Sequence, residues 1–260
     1  STGVVGWLVT WPAEPVEGYM VSSDFQMLLS FDTHELGDAE TRARKRLGVH
    51  PPGIWDALVG VRTDLADISD ETVRGFLGAE LPQSGEAAAA VKDFKRLYAY
   101  DQTTIDAARW CVETMPTDLV AVYLRGLDSS CHMYWRYMEP ESWQGELAPE
   151  MVSAFAPLIE RYYERIDQIV GEALEYRGSQ TLVVLCSDHG FAGHRGYPGF
   201  DGELAVGVSM HREDGIIAIA GPGVAAGSRI DGASILDVTP TVLAALDIPL
   251  GEDMDGRLLS

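Results

Sequence analysis

The stretch Thr181–Gly190, TLVVLCSDHG, decides how the chain is read. Apolar and β-favouring residues run from Thr181 to Cys186 and lead directly into Ser187-Asp188-His189-Gly190. A parallel strand buried on both faces is a near-continuous apolar run, and ligand sites in α/β proteins gather at the carboxyl ends of such strands. The segment is therefore expected to be a buried strand that brings a carboxylate and an imidazole to one edge of a sheet. Asp188 and His189 become candidate metal ligands, and Gly190 lets the backbone turn away sharply. Taken alone, the segment reads equally as a strand that ends in a polar turn.

A second segment repeats the pattern. Asp118–Leu124, DLVAVYL, is another buried-strand sequence, and it runs into Arg125-Gly126-Leu127-Asp128. His132 follows Asp128 by four positions, a spacing that converges on one face of a helix. His211 lies beyond the glycine-rich stretch Gly190–Gly207, which is long for a connection and so marks a functional loop. The two strand ends thus offer two carboxylates and three imidazoles to one sheet edge. A mixed oxygen and nitrogen donor set suits zinc, and also iron or manganese. Alone, Asp128 with His132 is an ordinary helix-surface pair, and His211 says less; together, at matched strand ends, they point to metal binding. His194 reads as a loop residue or a substrate contact, while His34 and His50 read as surface or turn residues. Trp135, Tyr137 and Tyr197 are candidates to stack on a base or aryl group, or to pack.

Around these strands, helical and extended patterns alternate. Residues 3–10 read as a strand, and Ser22 or Ser23 as an N-cap for a helix over Asp24–Phe31. Asp38–Leu47 reads as a helix with Arg42, Arg44, Lys45 and Arg46 near its end, where positive charge complements the helix dipole. His50-Pro51-Pro52-Gly53 breaks the pattern, and Ser69 is a cap within the helical stretch Ile54–Leu77. Glu86–Met115 reads as one long helical region, with Asp101-Gln102-Thr103 a possible second start within it. Met151–Tyr176 is a strong helix in which Pro157 marks a kink or a first turn. Gly215–Ala220 is a further strand, turned by Gly221-Pro222-Gly223, and Val238–Leu246 is a short helix with Pro240 in its first turn. This alternation predicts an α/β layer fold with a largely parallel sheet. Residues 1–260 are read as a single domain, with the helix-rich residues 20–100, which show no clear strand, as a cap or lateral layer within it.

Composition narrows the function. The net charge is −21, from 40 acidic and 19 basic residues, which argues against binding a nucleic-acid backbone. It does not argue against a small phosphorylated substrate, because bound cations reverse the local field. No segment approaches the unbroken apolar length of a membrane span, and Val4–Thr10 lacks the basic flank of a signal peptide, so a soluble protein is expected. Cys111, Cys131 and Cys186 are scattered and form no disulfide framework; Cys186 is expected to be a small buried hydrophobe.

The segments VVGWLVTWPAEPVEGYMVS, DLVAVYLRGLDSSCH, VVLCSDHGF, the glycine-rich loop with His211, IIAIAGPGV and ILDVTPTVLAALDIPLGEDMDGRLL carry a resemblance that spans nearly the whole chain. In this order they resemble the type I phosphodiesterase and nucleotide pyrophosphatase branch of the alkaline phosphatase superfamily. The resemblance implies a three-layer alkaline-phosphatase-like α/β sandwich with a largely parallel central sheet. It implies a two-metal hydrolase acting on phosphodiester or pyrophosphate bonds of small nucleotide-type substrates. Asp128, His132 and His211 would bind one divalent metal, and Asp188 and His189 the other, with zinc the first expectation and iron or manganese the alternatives. The family's second metal has two further ligands, an aspartate after the first strand and a threonine or serine that is also the nucleophile. The matching residues begin after both, so the chain is expected to be the carboxyl-terminal part of such a fold, and no nucleophile is assigned within it. The alternatives are a non-catalytic metal-binding or regulatory domain, and a phosphomonoesterase, sulfatase or phosphonate hydrolase with similar ligands.

Overall fold

The computed structural model describes residues 1–25, 39–78, 85–143, 145–193 and 210–259, with backbone alone for 39–42. The helix expected over Asp24–Phe31 lies largely outside these residues, as do His34, His194, Tyr197 and most of the glycine-rich loop. The chain divides into two compact units, Ser1–Glu164 and Arg165–Ser260.

The first unit runs β1 (Thr2–Val5), β2 (Gly18–Val21), α1 (Ala39–Arg46), β3 (Val49–His50), α2 (Trp55–Gly60), α3 (Asp70–Phe76), α4 (Gly85–Thr114), β4 (Leu119–Val122), α5 (Gly126–Met138), α6 (Pro149–Phe155) and α7 (Leu158–Leu174). The unit boundary falls inside α7. The strands order as β3-β2-β1-β4, with β1 parallel to both β2 and β4 and β3 antiparallel to β2. Val5 registers with Val122, so β1 and β4 end at the same edge, and α5 begins just beyond it. This is the largely parallel α/β arrangement that the alternation of elements predicts.

The sheet is held by a cluster of buried side chains that includes Val5, Tyr19, Val21, Phe25, Val49, Trp55, Leu58 and Cys111. Phe25 and Trp55 meet edge to face at 5.5 Å. The Tyr19 ring lies where a Cβ at Gly3 would stand, so the small residue on β1 makes room for the aromatic on β2. A second aromatic layer joins Phe76, Phe94, Tyr98 and Tyr162 from α3, α4 and α7.

Several elements differ from the sequence reading. The first strand stops at Val5 and not at Thr10. Gly6 takes a φ of +73°, and Trp7, Leu8 and Val9 emerge exposed into the loop. Residues 20–100, read as having no strand, contain the second half of β2 and all of β3; strands of four and two residues are too short to show alternation. The helix α4 is continuous over 30 residues, with no second start at Asp101. Met151–Tyr176 is two helices: Pro149 opens α6, and Pro157 stands between α6 and α7. The cap at Ser69 is present, its hydroxyl accepting from the Thr72 N–H at 3.0 Å.

The second unit holds β5 (Val183–Cys186), β6 (Gly190–Phe191), β7 (His211–Arg212), β8 (Ile217–Ala220) and α8 (Val238–Ala245). β5 pairs antiparallel with β8, and β6 antiparallel with β7. The expectation of a parallel strand buried on both faces is corrected here. Among the described residues β5 has one neighbour, and Leu185 and Cys186 are exposed. A strand in a two-stranded sheet lacks the flanking strands and layers that would cover it. Gly221 and Gly223, both at positive φ, make the turn after β8 as read. Near α8, the buried Asp237 carboxylate accepts from the Ser234 and Arg257 N–H groups at 2.8 and 2.7 Å, and these donors hold it below the usual carboxylate range.

Candidate metal centre

In the first unit the sequence-predicted pair forms as the spacing requires. Asp128 stands in the first turn of α5 and His132 one turn later, with His132 Nε2 3.3 Å from Asp128 Oδ1. The opposite face of the helix carries Ser130, Cys131, Tyr134 and Tyr137, all buried. Tyr134 and Tyr137 pack on Phe155 of α6 at 5.4 and 5.5 Å. One face is core and the other carries the candidate ligands, so packing fixes the rotation of α5 about its axis. It also removes Tyr137 as a stacking platform for substrate, since its ring is 1 % exposed. Trp135 is half-buried, and its indole N–H donates to Glu139 Oε2 at 2.9 Å.

The start of α5 depends on a group that sequence reasoning misplaced. Arg125, at the N-cap position, provides no side-chain cap. Asp101, from the middle of α4, does so across space: both of its carboxylate oxygens lie 3.1 Å from the Gly126 nitrogen and accept its N–H. The Tyr162 hydroxyl of α7 donates to Asp101 Oδ2 at 2.8 Å. Burial pushes the Asp101 carboxyl up to about 6, while the donors from Tyr162, Gly126 and Arg125 pull the other way. A signal was present in the sequence. Asp101 falls four residues after Leu97 and four before Ile105, on the apolar stripe of the helix, where a carboxylate is rarely found without a partner.

In the second unit, Asp188 and His189 follow β5 directly. His189 Nε2 is 3.8 Å from Asp188 Oδ1, and His189 Nδ1 is 3.0 Å from the Gly190 carbonyl oxygen. With the Nδ1 hydrogen given to that carbonyl, Nε2 keeps a lone pair on the side of the aspartate, which is how a ligating imidazole is usually held. The β6–β7 pairing sets Phe191 opposite His211. It brings the His211 ring against that of His189, with centroids 3.7 Å apart and planes 18° from parallel. Phe191 closes on His211 edge-on at 5.7 Å. The sequence-predicted imidazoles at 189 and 211 are therefore neighbours, although the intervening stretch 194–209 lies outside the described residues. The Ser187 hydroxyl accepts from the Ile216 N–H at 2.9 Å and pins the strand end that carries Asp188.

The model of the family described as type I phosphodiesterase / nucleotide pyrophosphatase matches residues 24–237, most of the chain and all five candidate ligands. The chain belongs to that family. The chain matches no curated protein and no solved structure. A type I phosphodiesterase domain points to hydrolysis of phosphodiester bonds in small phosphorylated substrates, in a family that is in general metal-dependent. In this member of the family the donors fit a divalent cation chemically: each unit offers imidazole nitrogen beside carboxylate oxygen, and His189 is oriented through its second nitrogen. No helix of the described residues is long and apolar enough to cross a membrane.

Proposed function

We propose that the chain supplies most of the metal ligands of a two-metal phosphodiesterase or nucleotide pyrophosphatase. In this reading Asp128, His132 and His211 hold one divalent cation, and Asp188 and His189 the other, with zinc preferred over iron or manganese. The observation that carries it is that all five donors lie inside the family match, in two local groups that each join a carboxylate to an imidazole within 4 Å. The stacked rings of His189 and His211 support it further, since ligands of two adjacent cations need to be close neighbours.

Bound cations would draw charge from the phosphoryl oxygens and stabilise the leaving oxygen. The protein's own part is to fix the donors. α5 presents Asp128 and His132 on one face, the Gly190 carbonyl orients His189, and the β6–β7 pairing carries His211 to its place. No residue of the chain is assigned the role of nucleophile, and the preferred substrate class is a nucleotide-type diester or pyrophosphate.

Zinc content and affinity of the native chain and of the Asp128→Ala, His211→Ala and Asp188→Ala variants test the proposal. Each substitution is expected to cost bound zinc in protein that keeps its far-ultraviolet circular dichroism. Native protein that binds no zinc, iron or manganese, or variants that bind as the native chain does, would overturn it. Zinc binding without turnover of bis(p-nitrophenyl) phosphate would favour the non-catalytic alternative.

A further inference from the structure

We propose that Asp101 and Tyr162 are positioning residues for the ligand helix: they clamp the N-terminus of α5 at Gly126 and so set where Asp128 stands. The inference rests on the metal-ligand reading of Asp128 and His132 and adds residues that no motif assigns.

The first turn of a helix leaves its N–H groups without partners inside the helix, and a side chain at the N-cap usually answers one of them. α5 has arginine at that position and no side-chain cap from it. The acceptor comes from another helix instead, 25 residues earlier in the chain. A carboxylate that is 4 % exposed in the interior of a 30-residue helix is a costly choice, since burying a charge is unfavourable unless it is well bonded. Asp101 is well bonded, by the Gly126 N–H and the Tyr162 hydroxyl.

The clamp is also tight. A Cβ at Gly126 would overlap both the Tyr162 hydroxyl and Asp101 Oδ2, so the backbone of α5 is in close contact with the two side chains. Beside it, the Arg125 guanidinium lies over the Tyr100 ring at 5.1 Å, and the Tyr100 hydroxyl donates to the Ser23 carbonyl. Residues on both sides of the α5 start are thereby tied to α4. Asp128 is two residues past Gly126 in the same turn, so its backbone position follows from where Gly126 is held. An ordinary cap of the helix, or a serine or asparagine at 125, would stabilise α5 without this fixed distance to α4 and α7.

The test is zinc affinity by chelator competition, measured on the native chain, Asp101→Ala, Asp101→Asn, Tyr162→Phe and Asp128→Ala. Circular dichroism and urea midpoints report folding in each. Asp128→Ala is expected to remove one equivalent of zinc. Asp101→Ala is expected to keep that equivalent at an affinity about 10–100-fold weaker, the usual cost of losing an outer partner of a ligand. Asp101→Asn, which retains an oxygen for the Gly126 N–H, is expected to recover much of the affinity, and Tyr162→Phe to fall between it and the native chain. Folded Asp101→Ala with native affinity would overturn the inference while leaving the metal reading in place. Should Asp101→Ala not fold, folded Tyr162→Phe with native affinity would overturn it equally. Native zinc binding by Asp128→Ala would instead bring down the metal reading, and the inference with it.

Discussion

Asp128 and the pair Asp188-His189 are supported in opposite ways. Asp128 stands on a helix of 13 residues whose inner face packs into an aromatic core and whose first N–H is answered by the buried Asp101. Asp188 and His189 follow a strand of four residues with one neighbour among the described residues. Their support is the Gly190 carbonyl, the Ser187 hydroxyl and the face of His211, around side chains that are exposed or only half-buried. The first arrangement holds Asp128 through a helix whose inner face is buried. The second depends on a few contacts near the surface, and such regions open at lower free energy than a packed core.

The largest test of this contrast is a pair of glycine substitutions. Gly126→Ala drives a methyl group into Tyr162 and Asp101, and is expected to destabilise the protein by about 3 kcal/mol or more. Gly171 lies in α7 with open space around its missing Cβ, so Gly171→Ala is expected to be neutral or to stabilise by about 0.5–1 kcal/mol. Urea midpoints measure both. Equal midpoints would mean that the clamp at Gly126 yields easily and that the contrast is weaker than drawn.

A second test uses pH. The Asp101 carboxyl is raised from 3.8 to about 6 in the folded protein, chiefly by burial. A group raised in this way gives its full contribution to stability below the unfolded value and loses it as the pH climbs through the folded one. Native stability is therefore expected to fall between pH 4 and pH 6 by roughly 2–3 kcal/mol relative to Asp101→Asn, and the difference to level off above pH 6. Tyr162, Tyr100 and Arg125 are the polar and charged groups facing it. Parallel stability curves for the two proteins would show that Asp101 does not titrate there.

Metal removal sharpens the comparison from the other side. On the proposed two-metal reading, a chelator is expected to speed amide exchange at Gly190–Phe191 and His211–Arg212 while leaving β1, β4 and α5 protected. Uniform loss of protection across both units would mean that the ligand helix also relies on the cation. The smallest effect concerns the thiols. Burial pushes Cys111 and Cys131 up to about 12, whereas Cys186 is exposed, though raised by partial desolvation and the nearby Asp188. Brief alkylation followed by mass spectrometry is expected to label Cys186 first, and the other two only on unfolding. Early labelling of Cys131 would show that the core face of α5 opens.

Much of the candidate site was legible because its signals are local. An i,i+4 spacing places Asp128 and His132 together on any helix, and Asp188-His189 at the end of an apolar run marks a strand end whatever lies beside it. The strand pairing of β1 with β2 was not legible. GYMV is too short for periodicity to speak, and only its neighbours make it a strand. The apolar run at Thr181–Cys186 misled in the other direction, because hydrophobicity tells how well a strand would be buried and not how many strands cover it. Pro157 announced an interruption, but whether it kinks one helix or separates two depended on packing.

Asp101 divides the two kinds of information most clearly. Its residue type beside Gln102 and Thr103 suggested a helix start at its own position, but Asp101 lies inside a continuous helix and its carboxylate accepts from the first N–H of a different one. The sequence by itself determined the alternation of strands and helices, the family and the order of the donors, because those rest on neighbours along the chain. Tertiary structure alone decided which helix Asp101 caps, that His189 and His211 meet face to face, and that Tyr137 belongs to the core. Those outcomes depend on groups 18 to 61 residues apart, whose approach is set by the packing of whole elements and leaves no periodic trace in the chain.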